Sequence, residues 1–203
     1  MTSPRTPRDP QQDSLLTPQN CALAIIDYQP IQVTSVASRD RRELVANITA
    51  LVRTARLFEI PVVVSTVNVA TGLNKPLIRQ LAELLTDGEA IDRTTVNAWE
   101  DREFVAAVKA TGRRKLLMAA IWTEVCLCFP VLDAIDEGFE VFPVVDAVGG
   151  TSREAHDAAV MRMVQAGARP VGWVQVLCEL QRDWQRTGTA SRFADILFAV
   201  EGH

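Results

Sequence analysis

A chain of 203 residues, 48% hydrophobic and 23% charged, has the size and apolar content of one globular domain with a full core. Its net charge of −4 supplies neither a basic field for nucleic acid nor a polybasic patch for a membrane surface. Apolar runs fall short of the ~18–20 residues that span a bilayer, and no signal-peptide core opens the chain, so cytoplasmic residence is expected.

Residues 1–20 carry Pro4, Pro7, Pro10 and Pro18 among polar residues. Such a stretch offers little to bury and is expected to be a flexible tail that orders only against a partner subunit. The domain proper is placed at 21–203. Ala22 to Ile26 is a continuous apolar run ending at Asp27, the pattern of a strand buried on both faces. Leu44, Ile48, Leu51, Val52 and Ala55 recur at helical spacing, with Ser38 or Asp40 as N-cap. Pro61 to Ser65 reads as a second buried strand, 67–75 as a loop, and 76–85 as a helix with proline in its first turn. A short strand is expected near Ala90–Ile91 and a helix from Asp101 to Ala110. Lys115 to Ile121 is the next strand, and a helix carries Cys126 to Glu137. Phe139 to Val145 is a strand, 154–165 a helix, 170–172 a short edge strand, and 173–183 and 190–200 are helices. This alternation predicts an α/β fold, a three-layer α-β-α sandwich around a six-stranded, mostly parallel sheet.

Cys126 carries the strongest chemical signal. It follows an apolar strand and opens a helix, where the helix dipole favours a thiolate. The carboxyl end of a strand is also where open α/β sheets place ligands. The chain has only two histidines, His156 and His203, which excludes a histidine-built zinc site. A carboxylate is therefore the better activating base, and Asp27 lies at the corresponding end of the first strand. As an alternative, Asp27 is an N-cap or loop acid. Arg93, in a polar loop after Ile91, can stabilise a thiolate or simply pair with Asp92 at the surface. Trp99, Trp122 and Gln29 either line a substrate pocket or, for the tryptophans, pack in the core or between subunits. His156 reads as a surface or interface residue. Cys21, Cys128 and Cys178 read as small buried apolar groups. Pro130 has no N–H for the carbonyl of Cys126, so the helix behind the thiol should kink or start late. No G-x-G-x-x-G follows the first strand, and no cofactor is expected.

The acid after the first strand, the basic residue in the middle loop and Thr123-Glu124-Val125-Cys126 together resemble the isochorismatase-like cysteine hydrolases. Within that family the chain is most similar to a subgroup typified by an octameric bacterial hydrolase of unsettled specificity. Asn97-Ala98-Trp99-Glu100-Asp101, Val108-Lys109-Ala110-Thr111-Gly112, Ala134-Ile135-Asp136-Glu137-Gly138-Phe139 and Cys178-Glu179-Leu180-Gln181-Arg182-Asp183-Trp184 extend the likeness across about residues 20–185.

The resemblance implies strand order 3-2-1-4-5-6, a triad of Asp27, Arg93 and Cys126, and a homo-oligomer of four or eight chains. It also implies a cis Ile121–Trp122 peptide, with the amides of Trp122 and Cys126 forming an oxyanion hole. The family's usual lysine is replaced by Arg93, which holds charge without shuttling a proton. The Asp-x-His cluster of metal-dependent nicotinamidases is missing from Thr66–Gly72, so no metal is expected there. The implied activity is metal-independent hydrolysis of a C–N bond in a small amide through a thioester. The rival is a non-catalytic or redox-sensing thiol on the same fold.

Overall fold

The computed structural model describes residues 9–85 and 90–201. Five parallel strands form one sheet in the order β3-β2-β1-β4-β5. They are β1 (Cys21–Ile26), β2 (Val62–Val67), β3 (Ala90–Arg93), β4 (Lys115–Ala120) and β5 (Glu140–Pro143). Every residue of β1 and β4 is buried, as two strands covered on both faces require. The helices are α1 (Pro30–Ser35), α2 (Arg41–Leu57), α3 (Arg79–Ala82), α4 (Arg102–Ala110), α5 (Cys128–Asp136), α6 (Arg153–Gln165), α7 (Trp173–Gln181) and α8 (Thr187–Glu201). α2, α7 and α8 pack together, and α5 packs on α6. Asp40 is the N-cap of α2, its carboxylate accepting from the amides of Arg42 and Glu43. Among the described residues no helix is long and apolar enough to cross a membrane.

The sheet has five strands, not six. The segment at 170–172 makes only an isolated bridge, Val144 to Val171. Arg169 donates its amide to the Val141 carbonyl at 2.9 Å, but Pro143 has no N–H to return to Arg169, and α7 begins at Trp173, so no second full rung forms. Arg93 ends β3 rather than lying in a loop. α1 is an element that the apolar periodicity does not reveal, because its start signal is a single proline in its first turn.

Residues 1–8 lie outside the described residues. The rest of the segment read as a tail is anchored. Leu16 is fully buried, and Lys115 Nζ donates to three successive carbonyls, those of Asp13, Ser14 and Leu15, at 2.6, 2.8 and 3.0 Å. The sequence hid this because the clamp belongs to a lysine that starts β4, about a hundred residues away. Lys115→Met removes the shared donor and leaves Asn20 Nδ2 to hold the Asp13 and Leu15 carbonyls, at 3.3 and 3.0 Å. It is expected to destabilise the fold by about 2–3 kcal/mol and to speed proteolysis within 9–20, measured by urea unfolding and timed digestion.

Burial pushes the Cys21 thiol up to about 12 and the Tyr28 phenol well above its ordinary value. Above about pH 9 the unfolded chain releases protons that the folded chain keeps, so stability falls as pH rises. The melting temperature should drop steadily from pH 8.5 to 11, and less steeply in Cys21→Ala. An unchanged melting temperature over that window would contradict the assignment.

Candidate active site

β1 and β4 are neighbours, and the strand order reverses direction between them, which opens a crevice at their carboxyl ends. Asp27 leaves β1 on one side of this crevice, and the turn carrying Cys126 leaves β4 on the other. The two strand ends are level. Ile26 pairs with Ala120, and the Ile121 amide donates to the Ile26 carbonyl at 3.2 Å. Asp27 has φ of 62°, a left-handed conformation that aspartate tolerates better than most residues.

Arg93 reaches Asp27 from the edge of the sheet. β2 lies between β3 and β1, so the side chain crosses two inter-strand steps, about 10 Å. Its Nη1 and Nη2 each donate to one Asp27 carboxylate oxygen at 2.7 Å, a bidentate pair that is almost wholly buried. Along the way Nη1 also donates to Ser65 Oγ of β2 at 3.1 Å and to the Thr66 carbonyl at 3.0 Å. Nη2 further donates to the Val96 carbonyl at 3.2 Å. Burial alone would lower the Arg93 pKa. The hydrogen bonds and charge of Asp27 outweigh it and hold the guanidinium above its usual value. Asp92 does not pair with Arg93 at the surface. It accepts from Thr66 Oγ1 and from the amides of Val69 and Ala70, pinning the 67–75 loop.

Cys126 sits in a single π turn, Thr123–Leu127, closed by the Leu127 amide donating to the Trp122 carbonyl at 3.1 Å. α5 starts only at Cys128, the late start that Pro130 predicts. The Ile121–Trp122 peptide is cis. The thiol is buried, close enough to the Asp27 carboxylate and the Trp122 amide for both to shift its titration. Burial raises the thiol pKa most, the Asp27 charge and hydrogen bond raise it further, and the Trp122 amide and Arg93 pull it down only in part. Burial and the neighbouring carboxylate thus outweigh the dipole of the helix start. A short turn in a dry site next to a carboxylate keeps the thiol protonated.

The turn is held from behind. The Thr123 amide donates to the Gly149 carbonyl at 3.0 Å, and Thr123 Oγ1 lies 2.9 Å from His156 Nδ1. Glu124 Oε1 accepts from the Thr151 amide and hydroxyl at 2.9 and 2.6 Å. Gly149 also lies close against Val36, where an added Cβ would stand 2.6 Å from Cγ1. His156 is therefore a half-buried support for the nucleophile turn rather than a plain surface residue. No local pattern signals this, because its partner lies on another element.

The three residues read as pocket-lining separate here. Gln29 is fully buried. Its Nε2 donates to the carbonyls of Val67 and Lys75, and its Oε1 accepts from the Val67 amide, so it clamps the 67–75 loop. Trp99 packs edge-to-face on Phe104 and Phe139 and donates to Glu137 Oε1, which places it in the core. Trp122 stays beside the thiol through its backbone, and its indole donates to Ser35 Oγ of α1 at 2.7 Å. Cys128 is core as expected, whereas Cys178 is exposed on the outer side of α7. Among the described residues, no three His, Cys, Asp or Glu side chains converge as metal ligands would.

The model of the isochorismatase domain matches residues 21–175. The chain is 38% identical to the probable hydrolase YcaC of Escherichia coli K12 over 183 residues, 89% of this chain and 88% of that protein. The solved YcaC from Pseudomonas aeruginosa, with hexane-2,5-diol and covalent acrylamide, superposes with a TM-score of 0.82 at 35% identity, covering 93% of this chain and 98% of that one. The solved E. coli YcaC, described as an octameric hydrolase of unknown specificity, superposes with the same TM-score, 0.82, at 34% identity, covering 93% and 97%. With its domain model matched over most of its length and a close relative aligned almost end to end, the chain belongs to the isochorismatase family.

Proposed function

We propose that the protein is a metal-independent cysteine hydrolase that cleaves the C–N bond of a small amide through a thioester. The observation that carries this reading is the buried Asp27 carboxylate, gripped by Arg93 at the carboxyl end of β1, beside the buried Cys126 thiol whose titration both groups shift. With the thiol neutral at rest, sulfur attacks the carbonyl carbon as its proton passes to Asp27. The amides of Trp122 and Cys126 would hold the resulting oxyanion. Collapse of the tetrahedral intermediate breaks the C–N bond, and Asp27 returns the proton to the departing amine. Asp27 then takes a proton from water as the water attacks the thioester, and the thiol is restored when the acyl group leaves as an acid. Arg93 keeps its charge throughout and aims both oxygens of Asp27.

The covalent acrylamide in the P. aeruginosa relative fits an activated thiol. The octameric E. coli relative supports a homo-oligomer here, of four or eight chains. The raised thiol pKa weighs against an oxidant sensor, which needs a standing thiolate. The test is rapid acid quench of the protein with a panel of small primary amides, read by intact mass and peptide mapping. An acyl adduct on Cys126 together with ammonia release is expected. Turnover without any adduct on Cys126, or turnover retained in Cys126→Ala, would sink the reading.

A further inference from the structure

α2 carries Arg42, Val45, Thr49 and Arg53 at offsets of three, seven and eleven residues, which places all four on one helical stripe. That stripe floors a cavity of about 580 Å³, walled by Val33 of α1 and Ile196 of α8. Asp27, Arg93 and Cys126 are not among its lining residues, so it is separate from the site above. Its volume falls in the range of small-molecule sites.

The charge on this stripe is one-sided. Arg41, Arg42 and Arg53 line the cavity, and no acidic side chain does so among the described residues, in a chain whose net charge is −4. Arg42 and Arg53 are exposed, and neither forms a salt bridge among the described residues. Arg41 Nε is engaged by the Val36 carbonyl at 2.9 Å. Arg42 and Arg53 are separated along the helix axis by roughly 16 Å, and between them lie Val45, Ala46, Ala50 and Thr49, whose hydroxyl donates back to the Val45 carbonyl at 2.6 Å.

From this arrangement we infer that the groove binds a small dianion with an apolar body, an α,ω-dicarboxylate of medium chain length. Each carboxylate meets a guanidinium at one end, and the methylenes cover Val45 and Ile196. A monocarboxylate of equal length would leave one arginine facing a methyl group, and a neutral diol would satisfy neither end.

The test is calorimetric titration of the full-length protein with decanedioate, decanoate and decane-1,10-diol at low salt. Decanedioate is expected to bind at one site per chain, at least tenfold more tightly than decanoate. Arg42→Ala/Arg53→Ala is expected to weaken it at least tenfold, and Ala46→Trp to fill the groove and abolish binding. Both arginines are exposed, so the double variant keeps the test decisive if the tryptophan variant does not fold. Equal binding of decanedioate and decanoate, equal binding by the double variant, or no binding by the wild type would overturn the inference. In the last case, a change in molecular mass of the double variant would identify the groove as an interface between copies.

Discussion

Asp27→Asn is expected to lower stability by about 3–5 kcal/mol and amide hydrolysis by ~10²–10⁴-fold. The stability loss comes from Arg93, whose guanidinium is fully buried and would keep its charge without a counter-ion. Asparagine suits the φ of 62° as well as aspartate does, so backbone strain does not explain the loss. Arg93→Met should be destabilising for the mirror reason, since it strands a buried carboxylate. The combined variant removes both charges and should be more stable than either single one. Urea unfolding of the four proteins checks this. Additive losses in the double variant would show that the pair is not coupled as the geometry requires.

Cys126→Ser should separate chemistry from folding. The hydroxyl can still donate to Asp27, so stability should change by less than about 1 kcal/mol. Hydrolysis should fall on the order of 10³-fold or more, because the alcohol is a far weaker nucleophile at this site. In the wild type, the thiol should stay protonated through neutral pH, held there by burial first and by the Asp27 charge second. Its alkylation by iodoacetamide should therefore rise with pH up to about 9 without a plateau. A plateau near pH 7 would mean a standing thiolate and would favour redox sensing.

Much of this fold was legible because its signals are local. The fully apolar runs at Ala22–Ile26 and Lys115–Ile121 announce buried parallel strands, and the order of the first five strands is as the family resemblance implied. Cys126 was legible because a thiol after a buried strand is rare and well placed. Less legible were the features set by distant partners. Lys115 anchoring Asp13 to Leu15, His156 meeting Thr123, and Gln29 bridging Val67 and Lys75 all join residues far apart in sequence. The sixth strand stops at one bridge because Pro143 of β5 has no amide to give the Arg169 carbonyl, a defect that lies on the partner strand and not in the segment read. The direction of the thiol shift failed because burial, which depends on the whole fold, outweighs the dipole of one short turn. Trp99 looked equally suited to pocket and core, and its aromatic neighbours decided for the core.

The reach of Arg93 across β2 also bears on how the sheet ends. β3 is only four residues long and forms one border of the sheet. Such a border frays readily and offers open amides and carbonyls to any passing strand. Here its last residue is riveted to the centre by the same two hydrogen bonds that orient the acid. Local opening of the border and loss of the proton acceptor are therefore one event. A molecule with β3 peeled away has lost the grip on its acid, so border fraying is read out directly as lost chemistry.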